Sequence, residues 1–508
     1  MDKLILAHDL GTSANKATLF SEDGRLVASA SHPYPTGYRA GGIAEQNPED
    51  WWRAVCVSTR ALLENNDASR IAAIAFSGTM MGCLCVDRDG RPLRPHMLYS
   101  DQRATREAAE FSDKAGAKAI YRISGNRPSA VNSAPKYMWI KRHEPDIYRR
   151  THKILNAKDY LNFRLTGRIA TEPSDASGTN IYDLRAWTWS DALVEAAGVD
   201  GDKLPEIVPS TSVLGELTGE AAVAMGLRAG IPVVAGAADG VCAGVGAGSV
   251  VPGKAYNCLG TSAWVATTTT EPVCDPGERT ITFAHAVPGM FQPMGTMLMG
   301  GAVYSWVKDM LCRDLELRPG ENPFESMNRE AEASPPGARG LIFLPHLMGE
   351  RSPRWNSLAQ AGYIGLTITH TRGDMIRAAL EGVTLNQALS VDVFRELDVP
   401  VTEITLIGGG AKGRLWRQIM ADAFESDILL SNYQDESTSI GAAIIAGIGA
   451  GLYKDFSVVE RFISLTDRIR PIPENIPLYR KKRELFDQVY RALEPLFPRF
   501  PSECAEVD

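Results

Sequence analysis

The sequence lacks any run of about 18 consecutive apolar residues, so no membrane-spanning helix is expected. Its start holds only a short strand-like stretch, Leu4-Ile5-Leu6-Ala7, which breaks at His8-Asp9. That is too short for the apolar core of a secretory leader, and none is expected. Cysteine is scarce, with eight residues in 508, no C-x-x-C pair and no Cys/His cluster at zinc-ligand spacing. A disulfide framework and a structural zinc site are therefore excluded. Most of the thiols are expected to be small buried groups in a reducing, cytoplasmic setting, with Cys83 and Cys85 sharing one face of a strand. Basic charge is also thin: 53 Lys and Arg against 61 Asp and Glu, a net charge of −8. The one tight basic run, Arg480-Lys481-Lys482-Arg483, is expected to be a solvated helix face, and no nucleic-acid partner is expected. Low-complexity segments are absent, and the acidic tail after Phe500 is expected to fray. A Walker loop is missing too. Gly248-Ser249-Val250-Val251-Pro252-Gly253-Lys254 has the glycine spacing, but Ala255 stands where Ser or Thr would reach magnesium, and a strand-like run follows.

What is present is an ordinary globular composition, 44% hydrophobic, long enough for two or three domains. The most informative feature is a repeat. Leu10-Gly11-Thr12-Ser13 follows the first strand-like run, and Leu259-Gly260-Thr261-Ser262 follows another halfway along; each leads into further strand-like residues. Each copy reads as a β-hairpin with a tight Gly-Thr-Ser turn. Together they imply a duplicated α/β unit facing its twin across a cleft, with the boundary near Val250-Val251-Pro252-Gly253 and units 1–252 and 253–508. Ile71 to Phe76 and Val233 to Ala238 read as buried strands. A helix is expected from Pro48 to Asn65, capped by Asn47, and another from Asp374 to Phe394.

Glycine in a tight turn lets backbone N–H groups converge on an anion, and Thr or Ser hydroxyls add donors. Gly11-Thr12-Ser13 and Gly260-Thr261-Ser262 meet that need, although plain hairpin turns share the pattern. Asp9 precedes the first turn by two residues and is placed to hold Mg²⁺ through water. Asp239 ends the apolar run 233–238 and precedes a small-residue helix start. It reads either as a base that accepts the proton of an attacking hydroxyl, and a further ligand for Mg²⁺, or as a helix cap. Gly408-Gly409-Gly410 after the strand 404–407 reads as a flat approach for a nucleotide or as a simple turn. Met80, Met81 and Asp101 follow strand-like runs and are candidate sugar contacts. Asp101 offers two hydroxyl acceptors, and core packing is the alternative for the methionines.

These residues resemble the FGGY carbohydrate kinases of the actin and heat-shock ATPase superfamily. The likeness is carried by Ala361-Gly362-Tyr363-Ile364-Gly365-Leu366 with Asp374 to Glu381, and by Ser133 to His143, and it runs from Asp9 to about Phe486. The resemblance implies two duplicated actin-like, ribonuclease H-like domains with ATP and a small-molecule sugar in the cleft. It implies that Asp9 lies near Mg²⁺ and the phosphates, that Thr12 and Thr261 are phosphate contacts and that Asp239 is the general base. Gly301 and Gly410 are implied nucleotide contacts, and Arg414 lies beside the adenosine. Within the family the chain is most similar to the xylulokinases, which implies D-xylulose as acceptor, with gluconate or another pentulose or polyol as the alternative. It departs from them at Met81, where they carry His, and at Tyr99-Ser100, where they carry Trp-Asn. The oligomeric state stays open, a homodimer included. The rival from another class is a nucleotide-gated ATPase without a sugar acceptor.

Overall fold

A computed structural model describes residues 3–315 and 317–500; the tail after Phe500, with Cys504, lies outside the described residues. The chain builds two sheets of the same plan. The first uses β1 (Leu4–Leu10), β2 (Ala14–Ser21), β3 (Leu26–Pro33), β4 (Ile71–Gly78), β5 (Val213–Glu216) and β6 (Pro232–Ala238), in the order β5-β6-β4-β1-β2-β3. The second uses β7 (Ala255–Leu259), β8 (Ala263–Thr267), β9 (Ile281–Ala284), β10 (Phe291–Met297), β11 (Glu403–Ile407), β12 (Asp427–Ser431) and β13 (Leu465–Ile469), in the order β9-β10-β8-β7-β11-β12-β13. In both, an antiparallel hairpin, β1-β2 or β7-β8, has parallel strands on its other side, β4 and β6 or β11 and β12. The two Leu-Gly-Thr-Ser segments are the turns of these hairpins. The strand after Lys254 confirms that no Walker loop forms, since β7 begins at Ala255.

The helices include α1 (Pro48–Leu63), α2 (Ser133–His143), α3 (Pro173–Ser177), α4 (Asp239–Gly246), α5 (Gly301–Leu311), α6 (Arg372–Glu396) and α7 (Arg414–Phe424). They are followed by α8 (Ser437–Gly449) and α9 (Ile476–Leu493). Helix α1 starts as expected, with Pro48 in its first turn and the Asn47 side chain accepting from the Glu49 N–H at 3.2 Å. Strand side chains alternate between faces, and β1 is apolar on both. Leu4 and Leu6 pack with Trp51 of α1, whereas Ile5 and Ala7 pack with Ile440 and Ile444 of α8.

That second contact joins the two halves of the chain. Helix α8 comes from the second half and covers the first sheet, while α4, at the end of the first half, packs through Ala243 and Ala247 on Tyr256, Ile281 and Met294 of the second. The two helices cross backbone to backbone. A Cβ on Gly441 would lie 2.0 Å from the Cys242 carbonyl, and one on Gly246 would lie 1.9 Å from that of Ser437.

The basic run near the end is not a uniformly solvated face, which corrects the reading above. The helical period of α9 turns Tyr479, Lys482 and Phe486 inward. Lys482 Nζ donates to the Gly337 carbonyl at 2.7 Å and pairs with buried Glu381, and Arg480 Nε donates to Glu425 at 2.8 Å.

Candidate active site

The first turn is braced from below. The Gly11 N–H donates to the Ala14 carbonyl at 3.0 Å, and the Tyr34 hydroxyl donates to the Gly11 carbonyl. Gln46 Nε2 donates to the Thr12 carbonyl at 2.6 Å and is itself held by Trp51 Nε1 at 2.9 Å. Ser13 is exposed at the tip, with its carbonyl accepting from the Tyr34 N–H at 3.0 Å. The second turn is stapled to the start of α5: the Gly301 N–H donates to the Gly260 carbonyl at 2.7 Å and that of Gly300 to Thr261 at 2.8 Å. A Cβ on Gly301 would sit 2.7 Å from the same Gly260 oxygen, so this contact requires glycine. Gly410 supports the strand leading into that turn, since a Cβ there would meet the Leu259 side chain at 2.3 Å. Gly409 faces open space, with nothing within 4 Å of a Cβ. Arg414 is exposed at the start of α7 and makes no side-chain bond among the described residues.

Asp239 is the first residue of α4 rather than its cap; Ala238 is the capping position, and the Asp239 carboxylate accepts from the adjacent Gly240 N–H at 2.8 Å. The strand end that carries it is braced by a buried chain. The Ala238 N–H donates to Ser174 Oγ at 2.9 Å, and that hydroxyl donates to Glu172 at 2.6 Å. Burial pushes the Asp239 carboxyl up to about 7; the Gly240 N–H opposes this, and the negative charge of Asp9 adds to it. Asp9 is half-buried at the end of β1. Its Oδ2 accepts from Thr438 Oγ1 at 2.7 Å, in the first turn of α8. Beside it, Lys16 Nζ donates to the Asp435 carbonyl at 2.7 Å and pairs with Glu436 at 2.9 Å.

Some of these groups line one cavity of about 360 Å³, a size usual for small-molecule sites, whereas Asp9, Gly11, Ser13, Gly301, Gly409, Gly410 and Arg414 are not on its wall. Thr12 enters it from the first hairpin and Gly260, Thr261 and Ser262 from the second, and Asp239 lines it as well. Met80, Met81, Trp264 and Phe283 belong to an apolar wall, and Tyr99, Thr296 and Arg351 add polar groups to the lining. The methionines are held in place. Met81 adopts φ 64°, Lys136 Nζ donates to its carbonyl at 3.1 Å, and a Cβ on Gly178 would lie 2.9 Å from the Met80 methyl.

Asp101 has another occupation. It is fully buried, and its carboxylate is taken by Arg103, with Nε at 2.9 Å, and by the Ala44 N–H at 2.8 Å, leaving it off the cavity wall. From the same segment it is Tyr99 that reaches the site, its hydroxyl 3.4 Å from Thr12 Oγ1.

Thr438 and Arg351 escaped the sequence reading. The segment 435–443 around Thr438 reads only as the start of a closely packed helix, and the Thr438 contact with Asp9 forms only when the second half folds onto the first. Among the described residues no cluster of three or more His, Cys, Asp or Glu is arranged to hold a metal. The fit for a divalent ion is instead the mutual repulsion of Asp9 and Asp239, which a cation shared with phosphate oxygens relieves.

Comparison with known proteins follows the same division. The N-terminal domain of the FGGY family of carbohydrate kinases matches residues 4–246 and its C-terminal domain residues 255–450. Xylulose kinase of Bacillus subtilis (strain 168) is 33% identical over 492 residues, covering 96% of this chain and 97% of that one. Gluconokinase of the same organism is 32% identical over 502 residues, covering 97% of each. The solved structure of ligand-bound xylulose kinase from Lactobacillus acidophilus superposes with a TM-score of 0.92 at 28% identity, covering 98% of this chain and 100% of that one.

Proposed function

Since this chain belongs to the FGGY family of carbohydrate kinases, we propose that it moves the terminal phosphoryl group of ATP onto a terminal hydroxyl of a small open-chain sugar, with D-xylulose the first acceptor to test. The observation that carries this reading is the cavity lined by Thr12 of one Gly-Thr turn, by Gly260 and Thr261 of the other, and by Asp239. Residues 1–252 would supply most of the sugar pocket and residues 253–508 the nucleotide contacts.

In this reading Asp239 orients the acceptor hydroxyl and takes its proton as the oxygen bonds to the γ-phosphorus, while the bond from that phosphorus to the β-bridging oxygen breaks and ADP leaves. A carboxyl whose pKa lies near neutrality suits a base that must lose its proton before the step and hold it afterwards. The Gly11 and Gly260 turns present N–H groups and the Thr12 and Thr261 hydroxyls to the polyphosphate. Asp9, oriented by Thr438, and Asp239 would hold Mg²⁺, which when bound neutralises phosphate charge. The apolar wall of Met80, Met81 and Trp264 limits water, the competing acceptor.

The test is ADP release across D-xylulose, other pentuloses, gluconate and polyols, with the phosphorylated product identified. Sugar-dependent release is expected, and Asp239→Asn should lower kcat roughly 100- to 10,000-fold. ATP hydrolysis without a phosphorylated product from any acceptor would mean a nucleotide-gated ATPase instead.

A further inference from the structure

Lys136 and Lys158 are both fully buried, and they are satisfied in opposite ways. Lys158 Nζ sits among carboxylates, 2.8 Å from Asp159, 3.0 Å from Asp175 and 3.7 Å from Glu172, the usual arrangement for a buried cation. Lys136, near the start of α2, makes no ion pair among the described residues. Its Nζ donates only to backbone carbonyls: Ala130 at 2.8 Å, Met81 at 3.1 Å, Asn132 at 3.2 Å, and Val131. An ammonium has three N–H bonds, so the four carbonyls share them. Burial pulls its pKa down to about 7 and the charge of Asp101 opposes this, while the carbonyls, which only accept, favour the charged form. Three of the four belong to the segment that leads into α2. The fourth is that of Met81, on the cavity wall. Met81 holds φ 64°, a left-handed conformation that a side chain resists and that its surroundings must impose. Its neighbour is pinned as well: the Gly82 N–H donates to Asn156 Oδ1 at 3.0 Å.

We infer that Lys136 is a positioning residue for acceptor binding: its ammonium stands in for a monovalent cation in a cage of carbonyls and so holds the Met80-Met81 wall in place. The kinetic consequence rests on the kinase reading above; the cage itself does not. Rings of backbone carbonyls are what replace the hydration shell of K⁺ in ion-selective sites. Here the charge is tethered by a side chain, so the protein needs no such ion from solution. Without the ammonium, four buried carbonyls would face one another unpaired, and Met81 would lose the contact that holds its backbone. The effect should fall on the acceptor wall. Met80 and Met81 line the cavity from the first half, whereas the second Gly-Thr turn is stapled to α5 and takes no bond from the cage.

The experiment removes the tether and offers the ion back. It uses the full-length Lys136→Ala variant in choline chloride, whose cation is too large for the cage, with D-xylulose or D-gluconate, whichever wild type phosphorylates. There the acceptor KM should rise about ten-fold, with KM for ATP within about two-fold of wild type. Ammonium or potassium chloride at the same ionic strength should return the acceptor KM to within about three-fold of wild type, and should leave wild type itself unchanged. The same two salts should raise the Tm of Lys136→Ala above its value in choline chloride by more than they raise that of wild type. Lys136→Met keeps the apolar stem and loses the donors. It covers the case in which Lys136→Ala fails to fold, and it too should raise the acceptor KM alone. Kinetics and melting of Lys136→Ala that are the same in all three salts overturn the inference. So does a KM for ATP that rises in step with the acceptor KM, or failure of both variants to fold in any of the salts. If wild type phosphorylates no acceptor, the kinase reading fails, and the ion-dependent Tm still decides the cage.

Discussion

Asp239 and Asp101 show how far a single residue can be read. Both are acids after strand-like runs, and both were candidates for contact with a sugar. The structure separates them by their partners: Arg103 and a backbone N–H occupy Asp101, whereas Asp239 keeps a carboxylate edge toward the cavity. Arg103 is only two residues from Asp101, but nothing in the spacing says that the pair closes on itself. The raised Asp239 pKa has two consequences. For catalysis, the group must be ionised, so log kcat/KM should rise with pH up to about 7 and level off above it. For stability, the folded carboxyl binds its proton more tightly than the unfolded chain does, against an ordinary value of 3.8. Between about 4 and 7 the fold therefore holds the extra proton, and this group's contribution to stability falls as pH rises through that window and stays flat beyond it. Asp239→Asn removes the effect, so its gain in Tm over wild type should be larger at pH 8 than at pH 5. Melts showing the same gain at both pH values would contradict the burial account.

At the scale of elements, the hairpins were legible because their signal is local: a strand, a Gly-Thr-Ser turn and a second strand fall within about twenty residues. Helix α1 was legible for the same reason, through Asn47 and Pro48 at its start. What each hairpin rests on was not. The second turn is shaped by Gly300 and Gly301 at the start of α5, some forty residues on, and Gly301 touches the Gly260 carbonyl closely enough to exclude a side chain. Gly301→Ala should therefore displace the turn and raise KM for ATP about ten-fold, with acceptor KM little changed. Gly219→Ala is the matched control, since its Cβ also meets open space and it lies off the cavity wall, and should leave KM for ATP near wild type. The basic run of α9 failed as a local reading for a related reason: four adjacent cations look solvated until the helical period turns Lys482 onto Glu381.

In the whole molecule the duplication is visible in the repeated strand order, while the exchange of α4 and α8 has no counterpart in the sequence pattern. The small residues after Asp239 suggested a helix start, but not that this helix and α8 would each pack on the sheet of the other half. Their crossing lets the Gly441 and Gly246 positions touch opposing carbonyls, which a larger residue cannot do without separating the helices. Gly441→Ala should cost about 1–3 kcal/mol by overpacking, lower Tm and reduce kcat, because the turns on either side of the cavity share this crossing as their support. An unchanged Tm and kcat would show that the crossing yields freely.

The same crossing bears on how the chain can be divided. Severed near Pro252, the first fragment would lose α8 from the apolar face of its sheet, and the second would lose α4 from the face carrying Tyr256, Ile281 and Met294. The duplicated units have thus become complementary pieces, and neither can be lifted out, replaced or evolved without its counterpart.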